Sequence, residues 1–345
     1  MVTGSSHSAH SIFLRNLGWS GFFEDQLKLD DSALEPCRIA SVHRTRLSAM
    51  CPVGSIQLTL AVHENTGDFA VGDWVLVDPQ THALKRRLSR KSVMSRHAEG
   101  AKTPQLAAAN VDTLFIVTSC NADFNPARLE RYLALANQAR INPVILLTKV
   151  DATDDAKAYR RQAAGLQRDL AVVTLSPHSL DAATALAPWC GPGQTVALVG
   201  SSGVGKSTLV NILVGTQAAP QQTQEVRESD AKGRHTTTSR SIHRIEGGGW
   251  VVDTPGMRTL QISNAAEGVS TLFAEITELT PHCRFRDCTH AHEPGCAVQA
   301  AVAEGTLAPE RLARWRKLVD ENSHNTPDKT APHNNGRAPN RGKRR

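Results

Sequence analysis

The most chemically specific stretch of the chain is Gly200-Ser201-Ser202-Gly203-Val204-Gly205-Lys206-Ser207, which has the G-x-x-x-x-G-K-S spacing of a phosphate-binding loop. A nucleoside phosphate needs many N–H donors at short range. Glycines at 200, 203 and 205 let the backbone come close, and a helix starting at the end of the loop adds its dipole. On this reading the loop through Thr208 holds a nucleotide, Lys206 bridges its β- and γ-phosphates, and Ser207 ligates Mg²⁺. The alternative is a glycine-rich strand-to-helix turn without a ligand.

Thr148-Lys149-Val150-Asp151 has the form of a guanine-reading motif, with Thr in the usual Asn position. The Asp151 carboxylate can accept from the ring N–H and the exocyclic amine of guanine, a donor pair that adenine lacks, while the Lys149 stem lies along the base. A second base-contacting turn is expected at Ser176, although Pro177 has no N–H to offer. Downstream of the phosphate loop, Lys232-Gly233-Arg234-His235-Thr236-Thr237-Thr238 reads as a switch loop, with Thr237 the favoured Mg²⁺ ligand. Asp253-Thr254-Pro255-Gly256 comes next: Asp253 would hold Mg²⁺ through water, and the Gly256 N–H would meet the γ-phosphate. Met257 stands where many GTPases carry a water-orienting Gln, so intrinsic hydrolysis is expected to be slow. His235 is the candidate to orient water once a partner orders the loop; a solvent-exposed loop histidine is the plainer alternative.

A second constellation lies near the C-terminus. Cys283, Cys288, His290 and Cys296 place three thiols and an imidazole within fourteen residues, the donor set of a closed tetrahedral zinc site. With four protein ligands no position is left for water, so the metal is expected to fold the segment rather than catalyse. His292 is an alternative fourth ligand, ranked below His290 on spacing.

The framework that carries these residues is legible in the hydrophobic pattern. Apolar runs at 112–117, 143–147, 172–176 and 195–199 read as strands of a parallel sheet, alternating with helices at 126–140 and 207–213, while 241–245 and 249–252 read as a hairpin. Between 37 and 96, short strands at 38–43, 55–62 and 74–77 with Gly-rich turns suggest a small β-barrel of the oligonucleotide-binding type. Its exit is basic, with Lys85, Arg86, Arg87, Arg90, Lys91 and Arg96. That rim suits an RNA surface or is simply a solvated basic face. Residues 11–34 suggest a short helix packed on the segment after it, residues 1–10 are polar enough to be disordered, and helices are expected at 271–279 and 309–319.

Composition narrows the class. Thirty-nine Lys and Arg against 33 Asp and Glu give a formal charge of +6 over 345 residues, which favours a polyanionic partner. No run of eighteen apolar residues occurs, so a cytosolic protein without a membrane span is expected. Seven cysteines, four of them scattered at 37, 51, 120 and 190, do not read as a disulfide framework.

In ordinary GTPases the phosphate loop precedes the base-reading motif; here the base-reading motif comes first, so the order is circularly permuted. A barrel, a permuted GTPase with these motifs and a Cys₃His element together resemble the RsgA family of small ribosomal subunit biogenesis GTPases, over about residues 36–320. The resemblance implies an arm (1–34), an OB-type RNA-binding barrel (35–102), a permuted GTPase domain (103–262), a helical zinc domain (263–323) and a basic tail (324–345). It further implies a monomer that grips ribosomal RNA on the small subunit in its GTP form and leaves on ribosome-stimulated hydrolysis to GDP. An RNA switch acting away from the ribosome is the alternative, and a P-loop ATPase or kinase is disfavoured by Asp151.

Overall fold

The computed structural model describes residues 3–96, 105–176, 182–215, 240–253 and 264–326, with backbone only for 3–9, 96 and 253. Five strands build the N-terminal barrel: β1 (Glu35–Val42), β2 (Leu47–Cys51), β3 (Gly54–Leu58), β4 (Trp74–Val77) and β5 (Leu84–Arg87). β1, β2 and β3 form an antiparallel meander, and β4 pairs with both β1 and β5. A parallel bridge between Thr59 and Ala83 then returns β5 to the end of β3. This closure is that of a five-stranded oligonucleotide-binding barrel. Two of its strands, β2 and β5, lie outside the sequence expectation, because the polar alternation of β2 and the charges of β5 mask short pairing segments. Register also joins two cysteines that looked isolated. Arg38 faces Met50, so Cys37 and Cys51 are directly opposite and form a disulfide, a correction to the expectation of unpaired thiols.

A ribbon of β6 (Val93–Arg96) and β7 (Gln105–Ala109) leads to the α/β layer. There β8 (Thr113–Ser119), β9 (Asn142–Thr148), β10 (Ala171–Thr174), β11 (Thr195–Gly200) and β13 (Trp250–Asp253) run parallel in the order β10-β9-β8-β11-β13, with β12 (Arg240–Arg244) antiparallel at the edge. β8, β9 and β11 are buried along nearly their whole length, as strands covered on both faces must be. Chain order steps outward from β8 to β9 and β10, then returns to the other side of β8 for β11. That reversal is the topological switch point at which α/β sheets bind ligands. The sheet does not stop at the α/β layer, since β12 pairs with β1 and carries the hydrogen-bonded surface into the barrel.

The N-terminal arm is ordered on the barrel. Helix α1 (Thr3–Asn16), which begins inside the stretch expected to be irregular, and α2 (Gly21–Glu24) bury Leu14, Leu17 and Phe23 against Trp74, Leu76 and Leu88. Each such side chain contributes about 1.5–3 kcal/mol. Arg38, wholly buried, donates to the carbonyl of Leu17 (2.5 Å) and to Thr195 Oγ1 (2.9 Å), joining arm, barrel and β11. Burial lowers its pKa to about 10, still well above neutrality. The Trp250 indole N–H donates to the Asn16 carbonyl at 2.7 Å, so the arm also grips β13.

The remaining helices are α3 (Pro126–Gln138), α4 (Ala156–Ala164), α5 (Ala182–Leu186), α6 (Lys206–Val214), α7 (Ala266–Leu272), α8 (Ala274–Leu279), α9 (Ala297–Ala303) and α10 (Pro309–Asn325). Asn125 caps α3 through the Arg128 N–H, and Pro126 fills its first position. α7 rests on α3 so closely that a Cβ at Gly268 would meet the Ala134 carbonyl at 2.0 Å. Behind that contact the wholly buried Glu130 of α3 receives Arg311 (2.7 Å) and Arg314 (2.8 Å) of α10. Arg311 also bonds Glu275 and the Leu272 carbonyl and lies 3.9 Å from the Phe273 ring. One buried carboxylate thereby fixes the C-terminal helices to the α/β layer.

Candidate nucleotide site and metal centre

The phosphate loop leaves β11 at Gly200, where φ is +141° and a Cβ would lie 2.1 Å from the Val117 carbonyl of β8. Only glycine fits there, because the loop turns against the neighbouring strand. Lys206 opens α6 and donates to the carbonyls of Gly200 (2.8 Å) and Ser201. Its ammonium is thus held over the loop by the loop itself. Ser201 is half-buried, whereas Ser202 and Ser207 are exposed.

Two strands away, β9 ends at Thr148 and the chain enters a single turn at Val150–Ala152. Lys149 makes the turn with φ +56°, a left-handed conformation uncommon for a non-glycine residue and frequent at ligand sites. Thr148 itself does not face outward. It is fully buried and its hydroxyl is 2.8 Å from the Val204 carbonyl of the phosphate loop and 3.2 Å from that of Thr118. A short hydroxyl in place of the amide suffices because the two loops approach this closely. The bond ties the turn after β9 to the loop after β11.

Between these loops lies a cavity of about 360 Å³, lined on one side by Lys149, Asp151 and Ala152 and on the other by Gly203, Val204, Gly205 and Thr208. Residues more than fifty positions apart in sequence therefore meet across the end of β8. Ala152 belongs to no motif and carries no side-chain signal that could have revealed it. Val150 is half-buried in the turn, and Ser176, also half-buried, lies just past the end of β10. Asp253 ends β13, parallel to β11, with its side chain outside the described residues; His235, Thr237 and Gly256 also lie outside them.

The second site is assembled by a loop between α8 and α9. Cys283, Cys288, His290 and Cys296 bring their ligand atoms within 4.8 Å of one another. Cys283 Sγ is 3.9 Å from Cys296 Sγ and 3.5 Å from His290 Nδ1, and Cys296 Sγ is 3.4 Å from the same nitrogen. Tetrahedral zinc with bonds of about 2.3 Å to sulfur and 2.0 Å to nitrogen needs edges of about 3.5–3.8 Å. The donor set fits that ion in type and spacing.

His290 reaches the cluster from a left-handed backbone (φ +58°), its ring packs on Trp315, and its Nε2 lies 3.4 Å from Thr280 Oγ1. Its carbonyl accepts from Gln299 and Arg316, which ties the loop to α9 and α10. Burial lowers the His290 pKa and so favours the neutral, metal-binding imidazole. For Cys283, burial acts upward, but the N–H donors of Ala297 and Val298 together with the Cys296 and Cys288 side chains outweigh it and bring the thiol below its ordinary value. His292 is exposed and outside the cluster. Glu293, which no motif marks, accepts from the hydroxyl and N–H of Thr289 and from the N–H groups of Ala291 and His292. These donors hold its carboxyl far below the usual range and fix the second half of the loop.

A sequence profile described as RsgA GTPase matches residues 87–263. The chain is 66% identical over 345 residues to a protein of Mesorhizobium japonicum named small ribosomal subunit biogenesis GTPase RsgA, covering 100% of this chain and 98% of that one. A protein of the same name from Methanosarcina acetivorans is 41% identical, covering 88% and 84% of the two chains. Among solved structures, YjeQ of Thermotoga maritima superimposes with a TM-score of 0.61 at 23% identity, covering 84% of this chain and 98% of that one. A structure described as YloQ, a circularly permuted GTPase, gives 0.61 at 22% identity, covering 88% and 99%.

Proposed function

The chain belongs to the RsgA GTPase family, and on that basis we propose that it hydrolyses GTP to GDP in late maturation of the small ribosomal subunit, binding the subunit with GTP and leaving after hydrolysis. The observation that carries this reading is the cavity in which Asp151 and Lys149 face Gly203, Gly205 and Thr208. Base selection and phosphate binding meet there although their order in the chain is reversed. The name shared by relatives covering the whole chain supplies the subunit.

Roles follow from the chemistry of the residues. Asp151 selects guanine, and Lys149 covers the base. The N–H groups of residues 200–208, Gly200 through Thr208, cradle the phosphates. Lys206 leaves its own loop carbonyls to neutralise charge building up at the γ-phosphate. Ser207, Thr237 and Asp253 would hold the Mg²⁺ that accompanies GTP, Ser176 would border the base, and Gly256 would sense the γ-phosphate. His235 orients water only when the subunit orders its loop, so hydrolysis by the protein alone is slow. Cys283, Cys288, His290 and Cys296 hold one structural zinc ion. In this division residues 1–34 brace the barrel at 35–102, residues 103–262 form the GTPase, 263–323 the zinc-binding part, and the basic 324–345 add affinity for a polyanion. No helix among the described residues is long and apolar enough to cross a membrane; the protein works as a monomer on cytoplasmic ribosomal particles.

The test is GTP hydrolysis by the purified protein alone, with small subunits and with large subunits, beside an ATP control. Strong stimulation by small subunits alone is expected, and Asp151→Asn should lose about 10- to 100-fold in preference for GTP, the loss of a charged double acceptor. A rate that no ribosomal particle changes would remove the ribosomal role and leave a guanine-nucleotide switch with another RNA partner.

A further inference from the structure

We propose that the tip of the metal-binding loop, Arg284-Phe285-Arg286, is a stacking site for an unpaired base of single-stranded RNA, with Phe285 carrying the base and the two guanidinium groups its flanking phosphates. The inference rests on the RNA partner proposed above and adds where and how one contact is made.

Phe285 is 42% exposed, and the Arg284 guanidinium lies 5.5 Å from its ring centre. The ring sits on a loop pinned at both ends, since Cys283 and Cys288 on either side belong to the metal cluster. Between them the Arg284 N–H donates to the Gly295 carbonyl (3.0 Å) and the Cys288 N–H to the Phe285 carbonyl (3.3 Å). The aliphatic stem of Arg284 lies across Gly295, where a Cβ would meet it at 3.0 Å. Ring and guanidinium are therefore presented by a fixed backbone, and little freedom is lost on binding.

Charge selects the partner. Among the described residues Arg284 and Arg286 form no ion pair, whereas Arg86, Arg90, Arg311 and Arg314 each hold a carboxylate. An aromatic ring with one guanidinium beside it and a second arginine next in sequence, neither in an ion pair among the described residues, offers stacking, cation–π and phosphate contacts together. A single ring is too small to anchor a protein partner, whose interface would bury about 800 Å² on each side. A paired base would first have to be unstacked, so an already unpaired one is favoured.

The experiment measures binding of the full-length, metal-loaded protein to a fluorescein-labelled, unstructured 12-nucleotide RNA and to a fully paired, blunt-ended RNA duplex, across a salt series. Phe285→Ala should weaken binding to the 12-mer by about 5- to 150-fold, the range for one stacked base, without changing the salt slope. Phe285→Trp should retain the affinity. Arg284→Gln with Arg286→Gln should flatten the slope of log K against log salt by about 1.4, that is 0.7 for each lost phosphate contact. Binding by Phe285→Ala within twofold of the parent, or an equal loss on the duplex, would overturn the site. Phe285→Leu guards against misfolding: full affinity in that variant would show that any apolar side chain serves and would also overturn stacking. Basal GTP hydrolysis and metal content should be unchanged in each variant. Loss of small-subunit stimulation in the unmodified protein would refute the ribosomal role while leaving the oligonucleotide result to stand or fall by itself.

Discussion

Two basic segments, residues 85–91 at the exit of the barrel and residues 284–286 at the tip of the metal loop, look alike as charge but are used differently. In the first, Arg86 reaches the Gln26 carbonyl and Asp31 of the arm, and Arg90 makes paired contacts of 2.6 and 2.7 Å to the wholly buried Asp73. Lys91 lies 5.2 Å from the Phe23 ring, while Lys85 and Arg87 remain exposed. About half of the expected RNA rim is thus holding the molecule together. In the second, two arginines flank an exposed phenylalanine in sequence, and among the described residues neither of them pairs with a carboxylate. A local excess of charge marks an interaction surface only after charges that serve as internal struts have been subtracted.

Metal removal should separate the two segments most widely. Stripping zinc with a strong chelator, or Cys288→Ser, should unfold residues 283–296, because a structural Cys₃His site contributes on the order of 10 kcal/mol to its own segment. The barrel and its arm should stay folded, as read by hydrogen exchange of β1–β5. Simultaneous loss of both would show that the barrel depends on the metal loop.

Glu130→Ala comes next. It leaves buried Arg311 with Glu275 as its one remaining carboxylate and takes the carboxylate from Arg314, which costs about 3 kcal/mol, the low end for a broken buried pair. The C-terminal helices should loosen from the GTPase layer while the metal stays bound, seen as faster proteolysis between 264 and 282. Unchanged thermal unfolding would mean that the Gly268 contact alone carries the docking.

The smallest effect sharpens the comparison directly. Arg90→Ala should lower stability by about 1–3 kcal/mol, since it orphans buried Asp73, yet change the salt slope of RNA binding little. Arg286→Gln should do the reverse. Equal stability losses in a denaturant titration would erase the distinction between strut and contact.

How much of this was legible beforehand depended on the range of the interaction. The phosphate loop, the strands at 113–119, 142–148 and 195–200, and the Cys₃His set are encoded by contiguous residues whose types leave few alternatives. β5 was missed because Lys85-Arg86-Arg87 reads as surface charge, and α1 because its first turns are polar. Thr148 was placed in the nucleotide site by its motif, yet its side chain turns inward to Val204, a direction that no tetrapeptide can specify. The pairing of Cys37 with Cys51 depended on strand register, as did the continuity of the sheet from β12 into β1.

Side-chain type and short spacing, both read directly from the chain, were enough to point to the chemistry proposed: phosphate binding, guanine selection and a four-ligand metal site. Which charges were free to act was settled by packing. An ion pair such as Glu130 with Arg311, or Asp73 with Arg90, joins residues separated by 181 and 17 positions. Such partners meet only in the folded chain, and burial rather than composition then fixes whether a guanidinium becomes a strut or remains available to a ligand.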